Sequence, residues 1–473
     1  MNGSASGLEN LPVTGGGAFE MAARLWQALG GGAARPDQVE IAGVGALPSV
    51  FAVSDFAAAA MATAGLAVAE WVGLHAGQAP QVRVDRRLAS LWFGFSIAPD
   101  GWELPSAWDA VAGDYATADG WIRLHTNARA HRDAALSVLG FPADPVPGRE
   151  AVAAAVAKWR ADALEAAVVA AGGCAAAMRD PEQWAAHPQG RAVLAEPLMH
   201  VERQGAALRF SRQVDALRPL SGIRVLDLTR VLAGPVATRF LAGFGADVLR
   251  IDPPGWDEGA VIPEVTLGKR CARLDFKQAG DREHLKGLIA EADILVHGYR
   301  PDALERLGLG ADVRRALNPG LVDVSLDAYG WSGPWAGRRG FDSLVQMSAG
   351  IAATGMAEAG AARPVPLPVQ ALDHGAGYLL AAAAVRGLVL RAMQATGSRW
   401  CTSVARVGGC LAGYRQSGDV ALIGKPEPHD YDAALEATGW GPARRLRAPL
   451  CVGVARMGWD RPAGRLGTAP AAW

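Results

Sequence analysis

From residue 223 onward the chain alternates short β-branched, leucine-rich runs with stretches of helical period. Ile223 to Leu228 has the continuous apolar character of a buried parallel strand, and Ala233-Gly234-Pro235 opens a helix with proline near its first turn. Gly245 ends that helix, and a second strand, Val248 to Ile251, stops at Asp252-Pro253-Pro254, where proline cannot continue a ladder. The same rhythm runs through "CARLDF", a helix over "DREHLKGLIAEA", the strand "DILVHGY", a helix from Asp302 with "ALERLG", and the strand "LVDVSL". Such alternation predicts an α/β fold with a doubly wound, Rossmann-like parallel sheet.

Residues 1–215 read differently, as long alanine-rich helices around one alternating segment, "YATADGWIRLHTN", which predicts a smaller α+β unit. The pattern divides the chain into residues 1–215 and 216–473, with "RQVDALRPL" at the seam. An internal echo crosses that seam. "FAVSDFAAAAMATAGLAVAEWVGLHAGQAPQVRVDRRLASLW" and "LPVQALDHGAGYLLAAAAVRGLVLRAMQATGSRWCTSVARVGGCLAG" share an extended entry, an aspartate, an alanine-rich helix, a glycine turn and a strand. Asp55 corresponds to Asp373 in that alignment. Shared composition alone gives the plainer explanation; the shared order of elements favours a duplication, with Arg35 to Pro48 as a remnant of what preceded the first copy.

Composition narrows the function classes. The chain of 473 residues carries 46 Lys plus Arg against 47 Asp plus Glu with no long run of one sign, which argues against a nucleic-acid partner. Five scattered cysteines, never in CxxC spacing, fit reduced thiols in a cytoplasmic protein better than disulfides or zinc, and no metal site is expected. The opening "MNGSASGLENLPVTGGGAFE" has no basic region followed by an apolar core, so no export signal is read there. Glu70 interrupts one long apolar run and Asp373, His374 and Arg386 interrupt the other, so both are read as buried helices and no membrane partner is expected.

One of those interruptions carries the candidate chemistry. "PVQAL" delivers the chain to Asp373 at the start of a helix, followed by Gly375, Ala376 and Gly377. A carboxylate there is stabilised by the free amides, commonly by about 0.3–1 kcal/mol, so Asp373 reads as a cap. The glycines weaken a helix and strip its surface, which suits a ligand lying against the backbone, so Asp373 reads equally as a nucleophile.

The motifs "GIRVLDLTRVLAGPVATRFLAGFGADVLRIDPP", "GKRCARLDF", "ADILVHGYRPDALERLG", "AYGWSGPWAGRRGFDSLVQMSAG" and "LDHGAG" together resemble the family III coenzyme A transferases, the group of formyl-CoA and carnitine CoA-transferases. The resemblance covers residues 218 to about 400 in order. Residues 50–215, through "EQWAAHPQGRAVLAEPLMHVER", resemble the small domain of the same family, so the chain looks like a fusion of a first copy without its sheet and a second copy shortened after residue 415. The resemblance implies Asp373 as nucleophile, with backbone amides at Gly375 and Gly377 as oxyanion donors. It implies an acyl-CoA and a carboxylic acid as substrates, with coenzyme A passing between them and no metal. Asp252, Arg270, Tyr299, Arg306 and Tyr329 are implied as coenzyme A contacts, although Arg306 reads equally as a solvated helix arginine and Tyr329 as a packed ring. Gly298 departs from the asparagine common at its position in the family. The family's interlocked subunits imply a homodimer or an internal pseudo-dimer, in which residues 85–200 close over Asp373.

Two alternatives remain. An α-methylacyl-CoA racemase of the same fold needs a histidine base in "GHD", but the chain has "GFD" with Phe341 there, and phenylalanine transfers no proton. A catalytically inactive coenzyme A-binding scaffold is the other, suggested by the incomplete copies. Asp55, in "VSDFAAAA" without following glycines, reads as a structural cap or relic. There is no GxSxG, HExxH or GxxxxGK[ST] motif.

Overall fold

The computed structural model describes residues 17–34, 37–207, 213–300, 302–418 and 420–473. The readings placed on residues 1–16, and parts of those placed on Arg35 and on the seam at "RQVDALRPL", lie outside the described residues.

The central sheet has seven strands: β1 His200–Ala206, β2 Arg224–Leu228, β3 Asp247–Asp252, β4 Lys269–Arg273, β5 Ile294–His297, β6 Val322–Asp327 and β7 Thr396–Ser403. Their spatial order is β4-β3-β2-β5-β6-β7-β1, parallel throughout except for β1, which runs antiparallel along β7. Leu226, Leu249 and Leu295 lie in register on one face and Val225, Val248 and Ile294 in register on the other, so the middle of the sheet is apolar on both faces, as a sheet covered by helices must be. The strand order reverses between β2 and β5, and open α/β sheets bind ligands in the crevice that such a reversal opens at the carboxyl ends of the strands.

Five helices pack on the sheet or on one another: α1 Val53–Ala76, α2 Ala233–Gly243, α3 Ala279–Glu291, α4 Asp342–Ser348 and α5 Ala371–Gln394. By length and composition α1 and α5 could cross a membrane, but they lie along each other in the core, with 78% and 83% of their most apolar windows buried. They run in the same direction. Near their starts the ring of Phe56 meets Gly375, and further along the Arg386 guanidinium pairs with Glu70. Both helices are 24 residues long and rich in alanine, whose small side chains let two backbones approach closely.

The two sides of residue 215 are interleaved. β1 precedes the seam yet completes the sheet, while Leu450–Val452 near the carboxyl end pairs with Val82–Asp85, and Gly441–Arg445 pairs with Ile97–Pro99. A smaller α+β body packs against α4: Gly113–Ala116, Trp121–Leu124 and Ala175–Ala177 form a three-stranded antiparallel sheet under helices Arg129–Val138, Arg149–Val156 and Ala161–Ala170, around a core of Ile122, Leu136, Val152 and Leu164.

Candidate active site

A cavity of about 450 Å³ opens at the strand-order reversal. Its walls are the turn from β2 into α2 (Leu228 to Gly234), Gly298 to Arg300 after β5, Leu326 to Ala328 at the end of β6, the strap Gly337 to Phe341, and Asp373. The turn after β2 is held under strain. Val231 is a β-branched residue at φ 64°, where such residues are rarely found, and its N–H donates to Glu258, whose other oxygen accepts from Arg250 at 2.8 Å. Beneath it, Asp227 accepts from the Lys269 ammonium at 2.9 Å and from the Thr238 hydroxyl at 2.6 Å, so the charges buried under the cavity are paired.

Asp373 is the third residue of α5, and whether it caps the helix is decided by its neighbour. The Leu372 and Asp373 N–H groups donate to Asp342 Oδ2 at 2.8 and 2.9 Å, and Gln346 Nε2 donates to Asp342 Oδ1. The Ala371 N–H goes to the Val369 carbonyl and the His374 N–H to Gln370. Asp342, at the start of α4, therefore satisfies the amides that a cap would serve, and the Asp373 side chain caps nothing. The residue is 6% exposed and lines the cavity, and its carboxyl group makes no hydrogen bond or ion pair to any described residue. Burial, and then the Asp342 carboxylate beside it, push the Asp373 pKa well above the ordinary value. Burial also raises Asp342, to about 6, against the opposing pull of the three donors it accepts from. A pair of like groups this close titrates as a unit, and the better-solvated member keeps the charge. Asp342 has the donors, so the proton of the pair rests on Asp373.

Other polar groups face the same space. Arg230 lies between Trp256 and Tyr299, 4.7 and 5.2 Å from their ring centres, and donates to the Tyr299 hydroxyl at 2.9 Å. His131, from helix Arg129–Val138, brings a group from the first half of the chain onto the wall. Burial, aided by Arg339, lowers its pKa, so its imidazole is neutral at pH 7. Asp327 Oδ1 accepts from the Gly330 N–H at 2.9 Å, Oδ2 is buried without a partner, and burial plus repulsion from Glu196 push the group up to about 7. The loop that follows is fastened from across the seam: Gln189 donates to the Tyr329 and Ser332 carbonyls, both at 2.8 Å, and Glu196 accepts from the Trp331 and Ser332 N–H groups at 2.9 and 2.8 Å.

Of the residues expected at the site, the cavity gathers Asp373 and Tyr299. Asp252 is fully buried and forms a two-point pair with Arg250, two residues earlier on the same face of β3. Arg270 spends its guanidinium on Asp247 at 3.1 and 2.7 Å. Arg306 is 60% exposed and pairs with Asp302 one turn away, which is the solvated-arginine reading. Tyr329 is a packed ring whose hydroxyl meets Ser348 at 3.1 Å. Gly375 and Gly377 lie inside α5, where an N–H is taken by the carbonyl four residues back, so they cannot act as the oxyanion donors expected of them. They serve packing instead. A Cβ on Gly375 would fall 2.2 Å from Phe56 Cε1, and one on Gly377 would fall 2.6 Å from the Ala233 carbonyl oxygen of α2. Asp55, the counterpart of Asp373 on α1, is held by Arg86 Nε at 2.9 Å. Phe341 stacks on His125 at 3.7 Å and lines the cavity. Among the described residues no group of three or more His, Cys, Asp or Glu is gathered as a metal centre would require.

Residues 220–438 match the family model described as CoA-transferase family III. An acyl-CoA transferase of Fusarium pseudograminearum is 33% identical over 201 residues, which are 38% of this chain and 44% of the relative. The succinyl-CoA:glutarate CoA-transferase of Mus musculus is 31% identical over 191 residues, 37% of this chain and 43% of the relative. The chain thus spans less than half the length of these curated relatives. The crystal structure of Rv3272 from M. tuberculosis aligns at 28% identity over 42% of this chain and 58% of its own, with a TM-score of 0.37.

Proposed function

We propose, for a chain that belongs through residues 220–438 to CoA-transferase family III, that it moves coenzyme A from an acyl-CoA thioester to a carboxylic acid, with Asp373 as the covalent carrier. The observation that carries this reading is the Asp373 carboxyl group, which faces a cavity at the strand-order reversal and is bound by no described residue, its expected capping duty having passed to Asp342. The activities for which these relatives are named support transfer between a thioester and a carboxylate.

In its ionised form an Asp373 oxygen attacks the thioester carbonyl carbon, the C–S bond breaks, and coenzyme A leaves as thiolate, giving a mixed anhydride. The thiolate attacks the aspartyl carbonyl and releases the donor carboxylate, leaving an aspartyl thioester. The acceptor carboxylate attacks that carbonyl and expels the thiolate again. The thiolate then attacks the acceptor's carbonyl in the second anhydride, which yields the new acyl-CoA and restores the Asp373 carboxylate. The two ionisations that the cycle needs, at Asp373 and at the acceptor, occur in a site walled by arginines, which favour anions. The parallel packing of α1 along α5, with Gln189 and Glu196 fastening the loop at residues 329–335, supports an internal pseudo-dimer in which residues before the seam cover the site of the same chain.

The test is interception of the aspartyl thioester. Incubation with acyl-CoA followed by hydroxylamine or borohydride should leave a mass change on the peptide containing Asp373, and Asp373→Asn should abolish both the mark and the transfer. Transfer that persists in Asp373→Asn would end this assignment. His131 on the same wall favours one second reading, proton exchange next to the thioester. Deuterium uptake at that carbon without movement of coenzyme A would establish it.

A further inference from the structure

The transfer cycle moves no proton. Its nucleophiles are carboxylates and thiolates, which enter and leave as anions, so a base on the cavity wall has no part in it. His131 is such a base. It reaches the wall from helix Arg129–Val138 of the smaller α+β body, and its ring stands 6.0 Å from that of Phe341, inclined at 62°. Phe341 is stacked on His125 and immediately precedes Asp342, whose carboxylate holds the start of α5 at Asp373. Through Phe341 and Asp342 the imidazole is therefore tied to the carboxyl group that carries the chemistry.

A buried histidine that serves packing alone has its ring nitrogens satisfied as a rule. Here Nδ1 is buried without a partner, and neither ring nitrogen hydrogen-bonds to any described residue. Nε2 is not sealed, so with the ring proton on Nδ1 it presents a free lone pair. The aspartyl thioester decides what can use that lone pair. Once the donor carboxylate has left, the place of the acceptor stands empty until an acid arrives. A carboxylate attacks without giving up a proton, whereas water must lose one as it attacks, and a neutral imidazole takes it.

We propose that the chain also hydrolyses acyl-CoA thioesters, with His131 as the base that activates water against the aspartyl thioester on Asp373. This hydrolysis rests on the transferase reading, since it draws on the same intermediate. The water oxygen bonds to the Asp373 carboxyl carbon while Nε2 takes one proton; the C–S bond breaks, coenzyme A leaves as thiolate, and the imidazolium returns that proton to it. Asp373 is left as a carboxylic acid, whose proton passes to solvent before the next cycle. Over the whole cycle acyl-CoA and water become a free acid and coenzyme A thiol.

Acetyl-, butyryl- and octanoyl-CoA are each given to the full chain in two assays. One follows multiple-turnover release of free thiol with no added acid; the other follows exchange of the matching labelled acid into the acyl-CoA, which reads transfer whatever the natural acceptor. At least one thioester should give both, and His131→Gln should lower the ratio of thiol release to exchange about 100-fold or more, as removal of a general base does. A single turnover in water labelled at oxygen, with protein in excess, should place the label on the Asp373 peptide. Exchange without thiol release overturns the proposal, as does a ratio unmoved in His131→Gln, including a loss of both rates in equal measure. Label in the released acid and none in Asp373 also overturns it, because water would then have attacked the acyl carbon. Thiol release with label on Asp373 but no exchange for any of the thioesters would sink the transferase reading and leave the hydrolysis standing; neither release nor exchange sinks both.

Discussion

The replacement Asp342→Asn tests whether the proton of the carboxyl pair rests on Asp373. The Asp342 oxygen that accepts the Leu372 and Asp373 N–H groups has an amide counterpart in asparagine, so the start of α5 keeps its support while one negative charge disappears. From the Asp373 N–H to Asp342 Oδ2 is 2.9 Å. Standard bond lengths then put the two carboxyl groups on the order of 5 Å apart. At an effective permittivity of about 20, two unit charges at that distance repel by about 3 kcal/mol, or ~2 pH units. Burial, the larger cause of the raised Asp373 pKa, is untouched, so its pKa should fall by about 1–2 units and stay above that of an exposed aspartate. The nucleophile must be ionised, so activity is present above this pKa and lost as pH falls through it. The acid limb of the kcat/KM profile for coenzyme A transfer, which reports groups in the free protein, should therefore move to lower pH by that amount. Gln346 loses its acceptor in the variant, so a slightly lower melting temperature is expected and carries no weight. An acid limb that stays in place, or moves up, refutes the division of roles between the two carboxyl groups.

Gly375→Ala should destabilise the fold, because a Cβ 2.2 Å from a fully buried ring that stands edge-on to Phe93 leaves no room. Overpacking of about 1–3 kcal/mol outweighs the helix preference of alanine, ~1 kcal/mol. Thermal unfolding reads the loss, and adding Phe56→Leu should recover part of it; unchanged stability in the single variant would remove packing as the reason for this glycine. Asp55→Asn should leave the rate of transfer unchanged and cost about 1 kcal/mol through the partly exposed pair with Arg86. A hydroxylamine mark found at Asp55 by peptide mapping would instead make it a second carrier.

Strands β2, β3, β5 and β6 were legible because each centres on a short apolar run, and such runs need no distant partner to be recognised. Strand β1 was not, since "HVERQGA" is largely exposed and polar and owes its conformation to pairing with β7. The site divides in the same way. Asp373 and Tyr299 follow motifs along the chain, whereas Asp342 and His131 acquire meaning only from neighbours far away in sequence. The misplacement of Asp252 had a local cue: Arg250 lies two residues earlier, and side chains two apart on a strand share a face. The glycines after Asp373 do mark a close approach, as their pattern implied, but what approaches is the protein's own Phe56 and Ala233.

The arrangement at the start of α5 also accounts for how a buried carboxyl group can be kept reactive. Helix amides stabilise a nearby anion and lower its pKa, and a carboxylate bound to two of them is a poor nucleophile because its lone pairs are engaged. Here those amides go to Asp342, so Asp373 receives no such bond. The consequence for stability has a definite sign. A pKa raised in the folded state means that the native protein holds this proton more tightly than the unfolded chain, so the contribution is full below the unfolded value and lost as pH rises through the folded one. Near neutral pH the protein therefore gives up stability to the extent that Asp373 ionises, and the ion so formed is more basic than an ordinary aspartate. The same burial that makes ionisation costly makes the ion a stronger nucleophile toward a thioester, so the site works only where the two effects balance, within reach of the raised pKa.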